Sequence, residues 1–182
     1  MSYDDKEQIV WEKEPIEWVP IDKKDGKYLL VSKYIIDAKA FDSDVNGRIW
    51  AECDLRKWLN GEFLNSAFSE EEQEMICDFY DENLGTSDKV FLLSEQEARL
   101  LYGPDECGSG TLYANEMGFD NTSAVADISF QGVSKRCYQW MLRPKGDGKL
   151  PTACGGAFGI TSPRLVVGIR PAIWVDADKL KQ

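Results

Sequence analysis

The stretch FDSDVNGRIWAEC, residues 41 to 53, sets oxygen side chains at Asp42, Asp44 and Asn46, followed by a turn glycine, Gly47, and an apolar Ile49. This is the front half of a calcium loop of the D-x-[DN]-x-[DN]-G type, in which hard oxygens at alternating positions converge on one cation. The back half departs from it. Such a loop needs a bidentate glutamate at its twelfth position, where this chain has the soft Cys53. Glu52 stands one residue early, and on a starting helix one residue swings a side chain by about 100°. The stretch therefore reads as a strand-to-helix turn whose oxygens satisfy backbone donors, with Asp42, Asp44 and Asn46 as a weak metal alternative.

The chain contains no histidine. Ser-His-Asp and Cys-His nucleophiles, most zinc hydrolase sites and imidazole proton shuttles are thereby removed. The five cysteines, Cys53, Cys77, Cys107, Cys137 and Cys154, are odd in number, far apart and without a C-x-x-C pair, so they read as reduced, mostly buried thiols. The glycine-rich phrases CGSGTLY, KGDGK and CGGAFG lack the spacing of a phosphate loop and read as turns. No catalytic residue and no cofactor is assigned on these grounds.

Arg143 and Arg170 lie inside the apolar phrases WMLRP and GIRPA. A guanidinium keeps its charge, so if buried it must meet a carboxylate or several carbonyls. Both are read as structural, with Asp54, Asp88, Glu95 or Glu97 near helix starts as the expected partner.

These residues need elements to position them. IEWVPID, KKDG and KYLLVSKYIID read as a β-hairpin turning at Asp25-Gly26. From Asp54, Leu55, Trp58, Leu59 and Phe63 form one stripe of an amphipathic helix. Ser69 with Glu72, and Ser94 with Glu97, are capping boxes opening two further helices, EEEQEMICDFYDE and EQEARLLY, with the strand KVFLLS before the second. Residues 103 to 136 lose periodicity, as functional or mobile segments do. CYQWMLRP, ACGGAFGI and RLVVGIRPAIWVD follow as a run of antiparallel strands. The expected architecture is α+β, with a charged arm over residues 1–15 and a single domain over 16–182.

Composition narrows the partners. With 32 acids against 21 bases, the net charge of -11 opposes a phosphate backbone or an anionic bilayer, so neither nucleic acid nor a membrane is expected. The first ten residues lack a signal-peptide pattern, and the expected compartment is cytoplasmic, or secreted or cell-surface if an export signal was removed.

Five phrases, IEWVPIDKKDGKYLLVSKYIID, WAECDLRKWLNGEFLNSAFSEEEQEMI, DKVFLLSEQEA, CYQWMLRPKG and VGIRPAIWVD, occur in the order seen in an uncharacterised bacterial domain-of-unknown-function family. The chain resembles that family over residues 16 to 176, through its L-R-x-W-L-N helix, F-L-L-S strand, W-W-L-R-S-P-G strand and G-V-R-P-A-L ending. It departs at Trp140-Met141-Leu142-Arg143-Pro144-Lys145-Gly146, where one aromatic is Met and Ser-Pro is Pro-Lys. The terminal G-[VF]-R pattern is in turn similar to that of C-type-lectin-like folds, among them formylglycine-generating enzymes and the variable proteins of diversity-generating retroelements.

That resemblance implies a lectin-like scaffold with ligand sites on residues 103–136 and 145–164. Within those segments Tyr113, Asn115, Glu116, Phe119, Asp120, Asn121 and Asp127 mix aromatic faces with amide and carboxylate groups, chemistry that suits a recognition surface, and Lys145 and Arg164 are the candidates in the second. The implied function is non-enzymatic recognition of a protein, peptide or glycan. Two alternatives stay open: a copper or thiol oxidase in which Cys137 and Cys154 meet across strands, and a structural piece of a cell-surface or phage-derived assembly.

Overall fold

Asp25 and Gly26 both take positive φ, 50° and 74°, the geometry of a two-residue hairpin turn matched to strand twist. They join β1 (Trp18–Lys24) to β2 (Lys27–Ser32), which pair antiparallel. The computed structural model of the chain describes residues 15–47, 49–101, 109–116, 125–130 and 133–181, with side chains throughout except at 125–136 and 181.

The first sheet is completed from far along the chain. The strand β14 (Pro171–Asp176) pairs with β2 on one side, and with β4 (Ile76–Cys77) and β7 (Val90–Leu92) in tandem on the other. A second sheet runs in the order β12 (Ala157–Thr161), β11 (Leu150–Cys154), β10 (Trp140–Met141), β13 (Val167–Ile169), β3 (Asp37–Lys39). Here β10 and β13 are parallel, so the terminal strands are not purely antiparallel as the sequence suggests. Two small hairpins stand apart, β5 (Phe79–Asp81) with β6 (Thr86–Asp88), and β8 (Val125–Phe130) with β9 (Val133–Tyr138).

The apolar stripe after Asp54 folds as α1 (Asp54–Trp58), a π turn (Leu59–Phe63) and α2 (Leu64–Ala67) in one continuous run. Leu55, Leu59, Phe63 and Leu64 are buried, which accounts for the stripe. Both capping boxes form, with Ser69 opening α3 (Glu70–Met75) and Ser94 opening α4 (Glu95–Ala98). Both helices are shorter than their sequences suggest. Ile76 and Cys77 leave α3 to pair with β14, and α4 stops after one turn. The 103–136 region is not without elements either: it contains α5 (Leu112–Glu116) and the β8–β9 hairpin.

The core is shared between the sheets and the π-turn helix. Leu29, Val31, Leu59, Phe91, Leu92 and Ile169 are fully buried within it, beside Trp50 and Trp140. A single α+β domain results. No helix among the described residues is long and apolar enough to cross a membrane.

Candidate functional site

The phrase LRKWLN shows how the sequence divides structure from site. Leu55 and Leu59 enter the core. Arg56 Nε donates to Asp88 Oδ1 at 2.6 Å, and its Nη1 to the carbonyl of Ala51 at 3.0 Å. Asn60 clamps the edge of β7, its amide donating to the Val90 carbonyl (2.8 Å) while its Oδ1 accepts from the N–H groups of Lys89 (2.9 Å) and Val90 (3.1 Å). Trp58 faces the other way, into a cleft.

That cleft encloses about 610 Å³, within the range of small-ligand sites. Its walls come from separated pieces of chain. Residues 15–17 precede β1; Tyr34, Ile36, Asp37 and Lys39 run into and along the edge strand β3; Trp58, Glu62, Phe63 and Ser66 belong to the helical run; Gly110 to Tyr113 open α5. The π turn matters here. A π turn shifts the residues beyond it around the helix relative to an α-helical continuation, and such turns recur at functional sites. It carries Glu62 and Phe63 into the wall.

Asp37 anchors the polar side. It is 5% exposed, and burial raises its carboxyl above the ordinary carboxylate range; Lys39 and the Ala38 N–H hold it back, while Glu62 adds to the upward push. Lys39 Nζ lies 3.2 Å from Asp37 Oδ2 and 4.4 Å from the centre of the Trp58 ring. At the rim Lys33 meets Glu17 at 2.7 Å and lies over Tyr34. Aromatic faces, alkylammonium groups and carboxylates therefore alternate around one opening, an arrangement suited to holding a ligand.

Of the residues implied by the loops, Tyr113 is the one among the described residues that lines this cleft. Asn115 and Glu116 share its helix, and the buried Oδ1 of Asn115 has no hydrogen-bond partner among the described residues. Phe119, Asp120 and Asn121 lie outside the described residues, and Asp127 falls on β8. Lys145 and Arg164 are not in the cleft's lining; Lys145 is exposed and 3.4 Å from Glu95, and Arg164 is exposed. Trp58, Glu62 and Asp37 are site residues that the sequence reading does not single out. Trp58 reads there as one position in a helical stripe, and the aromatic at the fourth position of L-R-x-W-L-N is the signal that points to it.

The arginines are spent on the scaffold. Arg143 is 6% exposed and lies between Asp81 (2.9 Å) and Glu97 (3.2 Å), donates to the Leu92 carbonyl (2.8 Å) and stacks against Phe79 and Phe91. Arg170 is fully buried, donates to the carbonyls of Ser32 (2.8 Å) and Lys33 (3.3 Å), and lies over the Trp140 ring.

The loop at Asp42 is organised as consecutive turns. Asp42 accepts from the Asp44 N–H at 2.8 Å and Asp44 from the Asn46 N–H at 2.9 Å. Gly47 is needed because a Cβ there would lie 2.5 Å from Asp42 Cγ. The twelfth position is also explained: the Cys53 thiol accepts from the Arg56 N–H (3.4 Å) and caps α1. No group of three or more metal-ligating side chains occurs among the described residues.

The cysteines need one correction. Cys137 is disulfide-bonded, so not all five are reduced, while Cys53, Cys77 and Cys154 are thiols and Cys107 lies outside the described residues. Cys154 Sγ comes to 3.5 Å from the Cys137 carbonyl across neighbouring chain segments. The two sulfurs therefore do not form a pair of thiols.

No curated protein and no solved structure matches the chain. Residues 25–177 match the family described as Domain of unknown function (DUF6273), a span that takes in every strand after β1 and all of the cleft except residues 15–17. The chain belongs to that family.

Proposed function

We propose that this domain is a recognition module whose ligand enters the cleft between β3, the π turn and α5, on a scaffold of C-type-lectin-like type. The scaffold reading is supported by β2 and β14, early and late strands paired side by side, with the helices and the long connections inserted between them. The observation that carries the function is the cleft's lining: Tyr34, Trp58 and Tyr113 supply aromatic surface, Asp37 and Lys39 supply a fixed ion pair, and Glu62 supplies a further carboxylate beside it. Few polar groups set in aromatic surface give orientation and affinity together. No nucleophile hydrogen-bonded to a base occurs among the described lining residues, which supports binding rather than turnover as the reading.

The test is a thermal-shift screen of small glycans, short peptides and amines against the wild type, Trp58→Ala and Tyr113→Ala. A binder at about 100 times its Kd adds about 2.7 kcal/mol of stability and a matching rise in Tm. Ligands that stabilise the wild type are expected to lose that effect in both variants. Binders whose effect survives both substitutions would place the site elsewhere and end the proposal.

A further inference from the structure

We infer that the cleft takes a cationic group on an apolar stem, an alkylammonium or guanidinium, seated beside Glu62 against the aromatic wall. This rests on the recognition reading above and names its ligand.

Three observations lead to it. The cleft already shows how it holds such a group, because Lys39 lays its ammonium over the Trp58 ring at 4.4 Å and against Asp37 at 3.2 Å. Cation–π and carboxylate contacts to one ammonium reinforce each other where water is partly excluded. Lys33 repeats the pattern at the rim with Glu17 and Tyr34. Each of those acids has its lysine. Glu62 does not: it makes no hydrogen bond or ion pair among the described residues, though it is close enough to Asp37 to act on it electrostatically. Among the described residues, the three lining carboxylates, Glu17, Asp37 and Glu62, meet two ammoniums, Lys33 at the rim and Lys39 in the lining, which leaves Glu62 over. A further cation is what this arrangement lacks.

The walls match an aliphatic stem. Leu112 is 79% exposed at the mouth and Tyr113 37% exposed beside it, and a long apolar linker bearing a charge can cover such side chains while its head reaches the acid. At a net charge of -11, the whole molecule also draws cations toward the opening.

The experiment titrates the full chain with Nα-acetyl-lysine N-methylamide, its Nζ-acetylated neutral form and cadaverine, following the Trp58 indole resonance by NMR, with Trp58→Phe to assign it. The charged lysine probe is expected to bind about tenfold more tightly than the acetylated one. Glu62→Gln should erase that difference and Glu62→Asp should keep part of it; Glu62 is exposed, so neither variant should disturb folding. Cadaverine binding as well as the lysine probe would assign free amines as the source, and weaker cadaverine binding would assign a peptide side chain. Equal or tighter binding of the neutral probe, or a preference that survives Glu62→Gln, would overturn the inference while leaving the recognition cleft standing. If no probe binds but the screen yields a neutral or anionic ligand dependent on Trp58, the ligand class is wrong and the cleft is right.

Discussion

Arg56 and Asp88, 32 residues apart, meet at 2.6 Å, and the same carboxylate accepts the indole N–H of Trp50 at 2.8 Å. Asp88 is 3% exposed and Trp50 1% exposed, so removing the carboxylate leaves a buried N–H donor and a partly buried guanidinium without their acceptor. Asp88→Ala should destabilise the fold by about 3 kcal/mol. Urea unfolding should show the midpoint lowered by more than about 1 M. Asp88→Asn, which keeps one acceptor, should lose less.

Asp37 is the opposite case. Burial raises its carboxyl, as does Glu62, so in the folded state the protonated form is favoured relative to the unfolded chain. The sign follows: this group's contribution is most favourable below the unfolded value and is lost as pH rises through the raised folded one. At neutral pH its charge is held at a cost. Asp37→Asn should therefore leave the urea midpoint unchanged or raise it, where Asp88→Asn lowers it. A loss of ligand binding without loss of stability would mark Asp37 as kept for the cleft.

Gly168, on β13, has no room for a side chain. A Cβ there would sit 2.7 Å from Ile35 Cδ1 and 3.0 Å from the Gln139 carbonyl oxygen, and the backbone oxygen cannot swing aside. Gly168→Ala should cost about 1–3 kcal/mol by overpacking, read as a lowered Tm in circular dichroism. Gly61, which has nothing within 4 Å of such a Cβ, is the control; Gly61→Ala should be neutral or slightly stabilising through better helix propensity.

Cys53 is fully buried, and burial pushes its thiol up from 9.0 to about 12. Native protein at pH 8 should therefore leave Cys53 unlabelled by a thiol reagent, while the partly exposed Cys77 and Cys154 react. A raised folded value makes the thiol's contribution complete below 9.0 and lost as pH climbs toward about 12. Stability should fall over that alkaline window by no more than about 1.4 kcal/mol per pH unit from this group, and Cys53→Ala should flatten the slope.

What the sequence discloses is local in range. The Asp25-Gly26 turn and the two Ser-x-x-Glu boxes are each a few adjacent residues, and each forms as its chemistry requires. What it conceals is decided by distant partners. Ile76 and Cys77 follow a helix-forming run yet are taken by β14 from the far end of the chain, which ends α3 early. The π turn has no periodic signature over five residues, and the break in period shows only in which side chains it exposes. The cleft is hidden for the same reason, being assembled from Tyr34, Asp37, Trp58, Glu62 and Tyr113, which no sequence window contains together. Tyr113 stands out as an aromatic in an aperiodic segment, whereas Trp58 is masked by a stripe that explains it too easily.

The place of β14 has a consequence for how the polypeptide is made. It is the last strand, yet it lies inside its sheet with β2 on one side and β4 and β7 on the other. During synthesis the earlier strands must wait on the ribosome with exposed edges until Asp176 has emerged. A nascent chain arrested before that point should be a client for chaperones and readily cleaved by proteases, and release of a few further residues should convert it to a resistant form.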